Sequence, residues 1–243
     1  MTYQRRVYRT QMGTGRFSSL TLAVGESDLY IGYSGSVEIE ALRTSALRKL
    51  RRLRQEILDY PDSRLLTSLT PLFQHEEHSS LLDAMLEAAE QANVGPMAAV
   101  AGAIAQEMGR YLKEKHGLTE IVVENGGDIF LSLTSPILVR LLASTSPFSD
   151  QVGLMVDGTM GVATSSATSG HSLSFGRADA VMVAANDAAR CDALATAYCN
   201  KVLKAEQAQL LCEQLVAEEG VQGAIITIGD TLAVGGSLEV RRL

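Results

Sequence analysis

The stretch Ile121-Val-Val-Glu-Asn-Gly-Gly-Asp-Ile-Phe-Leu131 places two glycines between two short apolar runs. Runs of this length that are rich in Val, Ile and Phe are typical of strands. Asn-Gly and Gly-Gly pairs favour tight turns, because glycine adopts positive φ without a steric clash. The stretch therefore predicts a hairpin with strands at Glu120–Glu124 and Ile129–Thr134.

Further strands are predicted on both sides of this hairpin. They lie at Gln4–Arg9, Phe17–Val24, Asp28–Tyr33, Ile137–Leu142, Val152–Val156, Gly161–Thr164, Ala178–Ala185, Gly223–Ile228, Thr231–Val234 and Leu238–Val240. Apolar residues at steps of three and four predict helices between them. The helices run from about Val37 to Leu58, from Ser80 through Ala92, from Pro96 to Gly117, from Asp187 to about Lys204, and from about Glu206 to Glu219.

The order of these elements determines the expected fold class. Helices and strands come in mixed blocks and not in strict βα alternation, which is the pattern of an α+β fold. We expect one domain over residues 1–243, with antiparallel sheets packed against helices. At its second helix, Ser80-x-x-Asp83 resembles a capping box.

Composition excludes several classes of protein. The 243 residues are 46% apolar and 20% charged, with a net charge of −7. This acidity counts against general nucleic-acid binding, which depends on neutralising phosphates. No apolar run is long enough to span a membrane and no signal peptide is visible, so we expect a cytoplasmic protein. The cysteines Cys191, Cys199 and Cys212 form no disulfide framework, and we expect buried free thiols.

Two polar segments are candidates for ligand binding. Seven of the thirteen residues from Thr164 to Gly176 are Ser or Thr, and His171 is the only imidazole among them. Such a loop offers hydroxyl and backbone donors to phosphate oxygens, although a solvated loop is the alternative. The acidic groups around Gly126-Gly127 also allow a ligand or metal role, beside the simpler role of a hairpin turn.

Asp192 and Thr196 are four residues apart on a predicted helix, and so share one face. A carboxylate and a hydroxyl are hard oxygen ligands that suit Mg²⁺. The alternative places Asp192 in solvent and bonds Thr196 to a backbone carbonyl. Within the segment Val94–Gly102, small residues at Ala98 and Gly102 permit close backbone packing, and a helix N-terminus there offers an anion site.

Two charged segments have plain structural explanations. His75-Glu76-Glu77-His78 lacks the spacing of a helical zinc pair and is expected to be a solvated turn. The run from Arg43 to Arg54 contains six basic residues, which an amphipathic helix presents on its exposed face. Docking of RNA or an acidic partner on that face is the weaker interpretation.

Taken together and in order, these motifs resemble the ApbE superfamily of Mg²⁺-dependent FAD:protein FMN transferases. The matching segments are Gly126-Gly127-Asp128, Gly161-Val162-Ala163-Thr164-Ser165, His171 and Asp192-Ala193-Leu194-Ala195-Thr196. A smaller ApbE-like family is more similar still, since its members carry the motifs found here at Val94–Gly102, Glu124–Asp128 and Gly170–Gly176. No reaction carries over from that smaller family.

The resemblance implies a magnesium site and a pyrophosphate site. Asp192 and Thr196 would hold Mg²⁺ with a backbone carbonyl near Ala163, and the metal would bridge the pyrophosphate of FAD. His171 would act as the base toward an acceptor hydroxyl. The implied nucleotide contacts are Gly126, Gly127, Asp128, Thr164, Ser165, Ser166, Ser169, Gly170 and Ser172.

Departures from the transferase pattern bear on the reaction and not on the fold. Where transferases have Lys-Gly-Tyr-Ala-Val-Asp, this chain has neither Lys, Tyr nor Asp, and reads Ala101-Gly-Ala103-Ile-Ala-Gln106. The Asp-Pro that follows the family's His is also missing. The alternative function is therefore a non-catalytic flavin or nucleotide binder. The expected partners are a flavin or nucleotide, an acceptor protein, and a second copy in a homodimer.

Overall fold

The computed structural model describes residues 15–73, 78–143, 146–168 and 175–243. The strands within these ranges are β1 Ser18–Val24, β2 Ser27–Ser34, β3 Glu120–Asn125, β4 Asp128–Ser132, β5 Ile137–Arg140, β6 Val152–Val156, β7 Thr159–Ser165, β8 Ala180–Ala185, β9 Val221–Ile228, β10 Thr231–Gly236 and β11 Val240–Arg242. The α-helices are α1 Ile39–Leu58, α2 Ser80–Ala92, α3 Val100–His116, α4 Ala188–Lys201 and α5 Ala208–Val216.

The strands form two antiparallel sheets. The larger one has the order β1-β2-β3-β4-β7-β8-β9-β10, and the smaller one has the order β11-β6-β5. Alternate residues of the large sheet point to opposite faces. On β3, Val123 packs among the helices, whereas Val122 packs with residues of the small sheet. The α+β prediction with antiparallel sheets against helices is confirmed, and the sheet lies between two apolar layers.

Burial of the predicted apolar stripes holds the helices on this sheet. On α1, the predicted stripe Leu42, Ala46, Leu50, Leu53 and Ile57 is entirely buried. Each such side chain contributes about 1.5–3 kcal/mol when removed from water. Outside this stripe, four of the six basic residues of α1 form ion pairs with nearby carboxylates. These pairs are Arg43–Glu40, Lys49–Glu107, Arg52–Glu56 and Arg54–Glu26.

Several predicted boundaries were wrong by one or two turns. Pro96 begins a short 3-10 helix, Pro96–Ala99, and α3 starts only at Val100. The helix predicted up to Lys204 ends at Lys201, and the next one reduces to a 3-10 turn, Ala205–Gln207, followed by α5. Helix ends fray, and the 3.6-residue period marks them poorly.

The predicted capping box at Ser80 was also wrong. The N-cap of α2 is Ser79, and its side chain makes no capping hydrogen bond. Asp83 instead accepts from the backbone N–H of His78, at 3.2 Å. The strand predicted at Gln4–Arg9 and the residues His75, Glu76 and Glu77 lie outside the described residues.

Cys191, Cys199 and Cys212 are free and buried, as expected. In the described part of the chain, no helix combines the length and the apolar character that a membrane span requires.

Candidate functional site

The diglycine turn joins β3 to β4. Asn125 pairs with Asp128 across the hairpin, so Gly126 and Gly127 form a two-residue connection. Their φ angles are +75° and +112°, conformations that favour glycine. The Gly127 N–H donates to Oε1 of the buried Glu124 at 2.8 Å. The predicted hairpin turn is thus present, and its second glycine is held by a carboxylate beneath it.

The end of β7 lies beside this turn. The ladder between β4 and β7 ends at the pair Ile129–Val162, so Ala163, Thr164 and Ser165 continue past it. A Cβ atom built on Gly127 would lie 3.9 Å from the Thr164 carbonyl oxygen. Two segments predicted separately from sequence, the turn and the start of the Ser/Thr loop, therefore meet at one edge of the sheet.

Asp192 on α4 is fixed by the first turn of α3. Its Oδ2 accepts from the backbone N–H of Ala101 at 3.1 Å and of Gly102 at 3.0 Å. None of the described residues donates a hydrogen bond to the second oxygen, Oδ1. The alternative in which Asp192 simply faces solvent was wrong.

Glycines at positions 102 and 161 allow α4 to pack closely against α3 and β7. A Cβ atom on Gly102 would lie 2.1 Å from the carbonyl oxygen of Ala188 and 3.0 Å from the Asp192 Cβ. A Cβ on Gly161 would lie 2.3 Å from the Ala188 Cα. The N-terminal turn of α4 therefore packs directly on the backbones of α3 and β7, and the close packing predicted for Gly102 is confirmed.

Ala101 links the turn to Asp192. Its carbonyl accepts from Asn125 Nδ2 at 3.2 Å, while its N–H donates to Asp192. The hairpin, α3 and α4 thus meet at one residue. Sequence reasoning missed Asn125 as a positioning residue, although its place beside the diglycine was a usable signal.

Gln106 was missed for a different reason. This side chain is only 2% exposed, and it reaches from α3 to the start of α4. Its Nε2 donates to Asp187 Oδ2 at 2.6 Å, and its Oε1 accepts from the Ala188 N–H at 2.8 Å. Asp187 is itself the N-cap of α4, as predicted, and accepts from the Arg190 N–H. A single polar residue within an apolar helix face was the available signal.

The electrostatics of Asp192 follow from its position. Burial raises the pKa of this carboxyl to about 7, and the hydrogen bonds from Gly102 and Ala101 only partly oppose that change. Burial likewise raises the pKa of the Cys191 thiol, with the negative charges of Asp187, Asp128 and Asp192 adding to the effect. Asp128 and Asp192 are therefore both close enough to influence the same thiol. A nearby cation stabilises the ionised form of a carboxylate in such surroundings.

Comparison with known proteins identifies the group to which the chain belongs. The sequence model of the family described as AbpE bacteria, AbpE_bact, matches residues 9–230. The chain belongs to this family. A UPF0280 protein of Methanococcus aeolicus is 34% identical over 216 residues, which cover 86% of each chain.

Solved structures show the same fold as this family member. The flavinyl transferase ApbE of Pseudomonas stutzeri, in its apo form, superposes with a TM-score of 0.63 at 15% identity. That match covers 90% of this chain and 94% of the other. The flavin transferase ApbE of Vibrio cholerae gives a TM-score of 0.60 at 14% identity, covering 90% and 97%. The expected ApbE-like fold is confirmed.

The Ser/Thr loop of this family member is only partly described. The Thr168 N–H donates to Ser166 Oγ at 3.2 Å, and the Ala167 N–H donates to the Ala178 carbonyl at 3.0 Å. On the far side of the loop, the Phe175 N–H donates to Asn200 Oδ1 on α4 at 2.8 Å. The predicted site residues Ser169, Gly170, His171 and Ser172 lie outside the described residues, and their roles stay predictions.

The predicted metal donors were Asp192, Thr196 and the carbonyl of Ala163. Thr196 lies one turn beyond Asp192 on α4, and Ala163 is buried in the same apolar layer as α4. Nowhere in the described ranges do three His, Cys, Asp or Glu side chains gather as a metal site. One carboxylate oxygen with neutral oxygens nevertheless suits Mg²⁺, which keeps waters and substrate phosphates as its other ligands. The donor chemistry therefore fits the expected ion.

Proposed function

We propose that this protein binds FAD, or a related nucleotide pyrophosphate, together with Mg²⁺, and acts on the pyrophosphate. The observation that carries the proposal is the environment of Asp192. Its half-buried carboxyl lies against backbone amides, receives no cationic side chain among its described hydrogen bonds and ion pairs, and leaves Oδ1 without a donor from the described residues. A divalent cation would supply the missing positive charge.

The surrounding backbone supports a nucleotide as the ligand. The diglycine turn and the end of β7 present main chain without bulky side chains, and Ser165, Ser166 and Thr168 add hydroxyl groups beside them. Such groups bind phosphate oxygens, and a Mg²⁺ ion held by Asp192 and Thr196 would neutralise charge on the same phosphates. The flavin part of the proposal comes from the names of the ApbE proteins that share the fold.

In the catalytic form of the proposal, FMN is transferred to an acceptor hydroxyl and AMP leaves. The oxygen–phosphorus bond to the acceptor forms as the pyrophosphate bond breaks, and the acceptor's proton passes to a base. His171 is the proposed base. A Mg²⁺ ion held by Asp192 and Thr196 would supply Lewis-acid stabilisation of the leaving phosphate.

Non-catalytic binding is the second candidate, and Gln106 favours it. This residue is the last of the segment Ala101–Gln106, in which the transferases carry Lys, Tyr and Asp. Here both ends of the Gln106 amide are occupied by the start of α4. That position therefore serves the packing of two helices.

Calorimetric titration with FAD, with and without Mg²⁺, tests the binding proposal, and FMN and ADP serve as comparison ligands. We expect Mg²⁺-dependent binding of FAD that exceeds that of FMN, because FAD carries a pyrophosphate and FMN carries a single phosphate. Chromatography of the incubated mixture then separates the two candidates, since only catalysis accumulates AMP. Absence of FAD binding under both conditions would reject the proposed ligand.

A further inference from the structure

A polar groove lies where α2, α3 and the first turn of α4 meet, apart from the proposed FAD site. Its volume is about 350 Å³, within the range of small-molecule sites. Helix α2 forms one wall, and the other wall comes from α3 and α4. The residues that matter are Glu87, Gln91, Gln106, Arg110, Asp187 and Arg190.

Two arginines on this groove lack an anionic partner. Within the described parts of the chain, neither Arg110 nor Arg190 forms a side-chain ion pair. The Arg190 Nε atom is moreover buried without a hydrogen-bond partner in those parts. A guanidinium cannot lose its charge, and a buried donor without an acceptor is unfavourable. This pair differs from Arg52 and Arg54 on α1, which both contact glutamates.

The polar groups nearest to Arg190 are already occupied. Asp187 Oδ1 accepts from the Arg190 backbone N–H at 2.9 Å, and Oδ2 accepts from Gln106 at 2.6 Å. The carboxylate therefore caps α4, and it forms no ion pair with the guanidinium of Arg190. The charged donors that line this groove and have no acidic partner among the described residues are the two guanidinium groups.

We propose that this groove binds the carboxylate or phosphate group of a small molecule, with Arg190 as the main contact and Arg110 as the second. A guanidinium presents parallel N–H donors that match two oxygens of such a group. Glu87 lies on the α2 wall, and its negative charge weakens the binding of an anion. The groove uses other residues than the proposed FAD site, so this inference goes beyond the proposed function.

Titrations with inorganic phosphate and with succinate, followed by NMR chemical shifts, test the proposal. We expect the wild-type protein to bind at least one of them, and the tighter probe identifies the preferred group. Arg190→Gln and Arg110→Gln should each weaken binding about tenfold, whereas Glu87→Gln should strengthen it about threefold. Arg51→Gln, an exposed arginine on α1, is the matched control and should change nothing.

Opposite outcomes overturn the proposal. These are wild-type protein that binds neither probe at about 10 mM, or Arg110→Gln and Arg190→Gln variants that bind as tightly as the wild type. Because Arg190 is partly buried, urea unfolding checks that its variant is folded, and the exposed Arg110 gives an independent result.

Titration of the same variants with FAD separates this proposal from the proposed function. Unchanged FAD binding in Arg190→Gln and Arg110→Gln supports a separate site. Parallel loss of FAD and phosphate binding would make the groove part of the flavin site and overturn its independence. If the wild type fails to bind FAD but binds phosphate with the expected variant effects, the proposed function fails and the groove stands.

Discussion

At the start of β3 the carboxylate of Glu120 contacts Arg16, whereas on α4 the carboxylate of Asp192 accepts hydrogen bonds, within the described residues, only from backbone amides. Arg16 contacts both oxygens of Glu120, with Nε at 3.1 Å from Oε2, and Thr134 donates twice to Oε1 at 2.7 Å. These bonds hold the pKa of Glu120 at about 2. Burial instead raises the pKa of Asp192 to about 7.

The difference separates a structural carboxylate from a candidate ligand. Glu120 already has its cation and its donors, so it stabilises the packing of the chain around β3. Asp192 is half-buried without a cation from the described residues, and a carboxylate so placed is a common feature of functional sites.

Replacement of Asp192 by Asn should remove the Mg²⁺ dependence of FAD binding. The amide oxygen still accepts from Ala101 and Gly102, but the negative charge that attracts a divalent ion is lost. We expect a decrease in Mg²⁺-dependent affinity of about 100-fold, or roughly 2.7 kcal/mol. Calorimetry with and without Mg²⁺ measures it. Glu120→Gln is the matched control and should retain the dependence. If Asp192→Asn retained the Mg²⁺ dependence of FAD binding, Asp192 would be no better a candidate metal ligand than Glu120.

Replacement of Gly102 by Ala should destabilise the protein by about 2 kcal/mol, although alanine is the better helix former. The new Cβ would lie 2.1 Å from the Ala188 carbonyl, so α3 and α4 must separate. Urea unfolding measures the loss, and FAD binding should weaken with it because Asp192 loses its amide donors. A stabilised variant would show that the two helices can separate at little cost.

Replacement of Arg16 by Gln should destabilise the protein by about 1.5 kcal/mol, because Glu120 is only 6% exposed and loses its cation. The exposed pair Arg241–Glu239 provides the control, and Arg241→Gln should have no measurable effect. FAD binding should be unchanged in both variants. Equal stabilities of Arg16→Gln and the wild type would remove the structural role assigned to Glu120.

The contributions of the two carboxylates to stability should depend on pH in opposite directions. The pKa of Glu120 is lowered on folding, so its contribution is present above its ordinary value of 4.5 and is lost as pH falls toward 2. The pKa of Asp192 is raised, so its contribution is present below its ordinary value of 3.8 and is lost as pH rises through about 7.

Urea unfolding in EDTA from pH 4 to pH 8 isolates the contribution of Asp192. We expect the free energy of unfolding to decrease less steeply with pH in Asp192→Asn than in the wild type, because only the wild type carries the carboxyl whose pKa is raised to about 7. Identical slopes would mean that Asp192 is no harder to ionise in the folded state than in the unfolded one.

Local patterns predicted the elements of this fold because they depend on near neighbours in sequence. Positive φ at Gly126 and Gly127 requires glycine, and the stripe from Leu42 to Ile57 follows the helical period, so the sequence predicted both features. The sequence did not predict the ends of α4 and α5, because the last turn of a helix depends on what it packs against. Residues 169–174, which contain His171, lie outside the described residues, so that part of the predicted site stays a prediction.

Residue types and their spacing predicted the hairpin, the apolar faces and the chemical groups of the candidate site. The packing of distant segments sets which partners those groups have. Asp192 meets Ala101 across 91 residues, Gln106 meets Asp187 across 81, and Arg16 meets Glu120 across 104. Contacts so distant leave no period in the sequence, because they depend on how the helices and strands pack. The same packing gives Glu120 a cation, and among the described residues it gives Asp192 only backbone amides as hydrogen-bond donors.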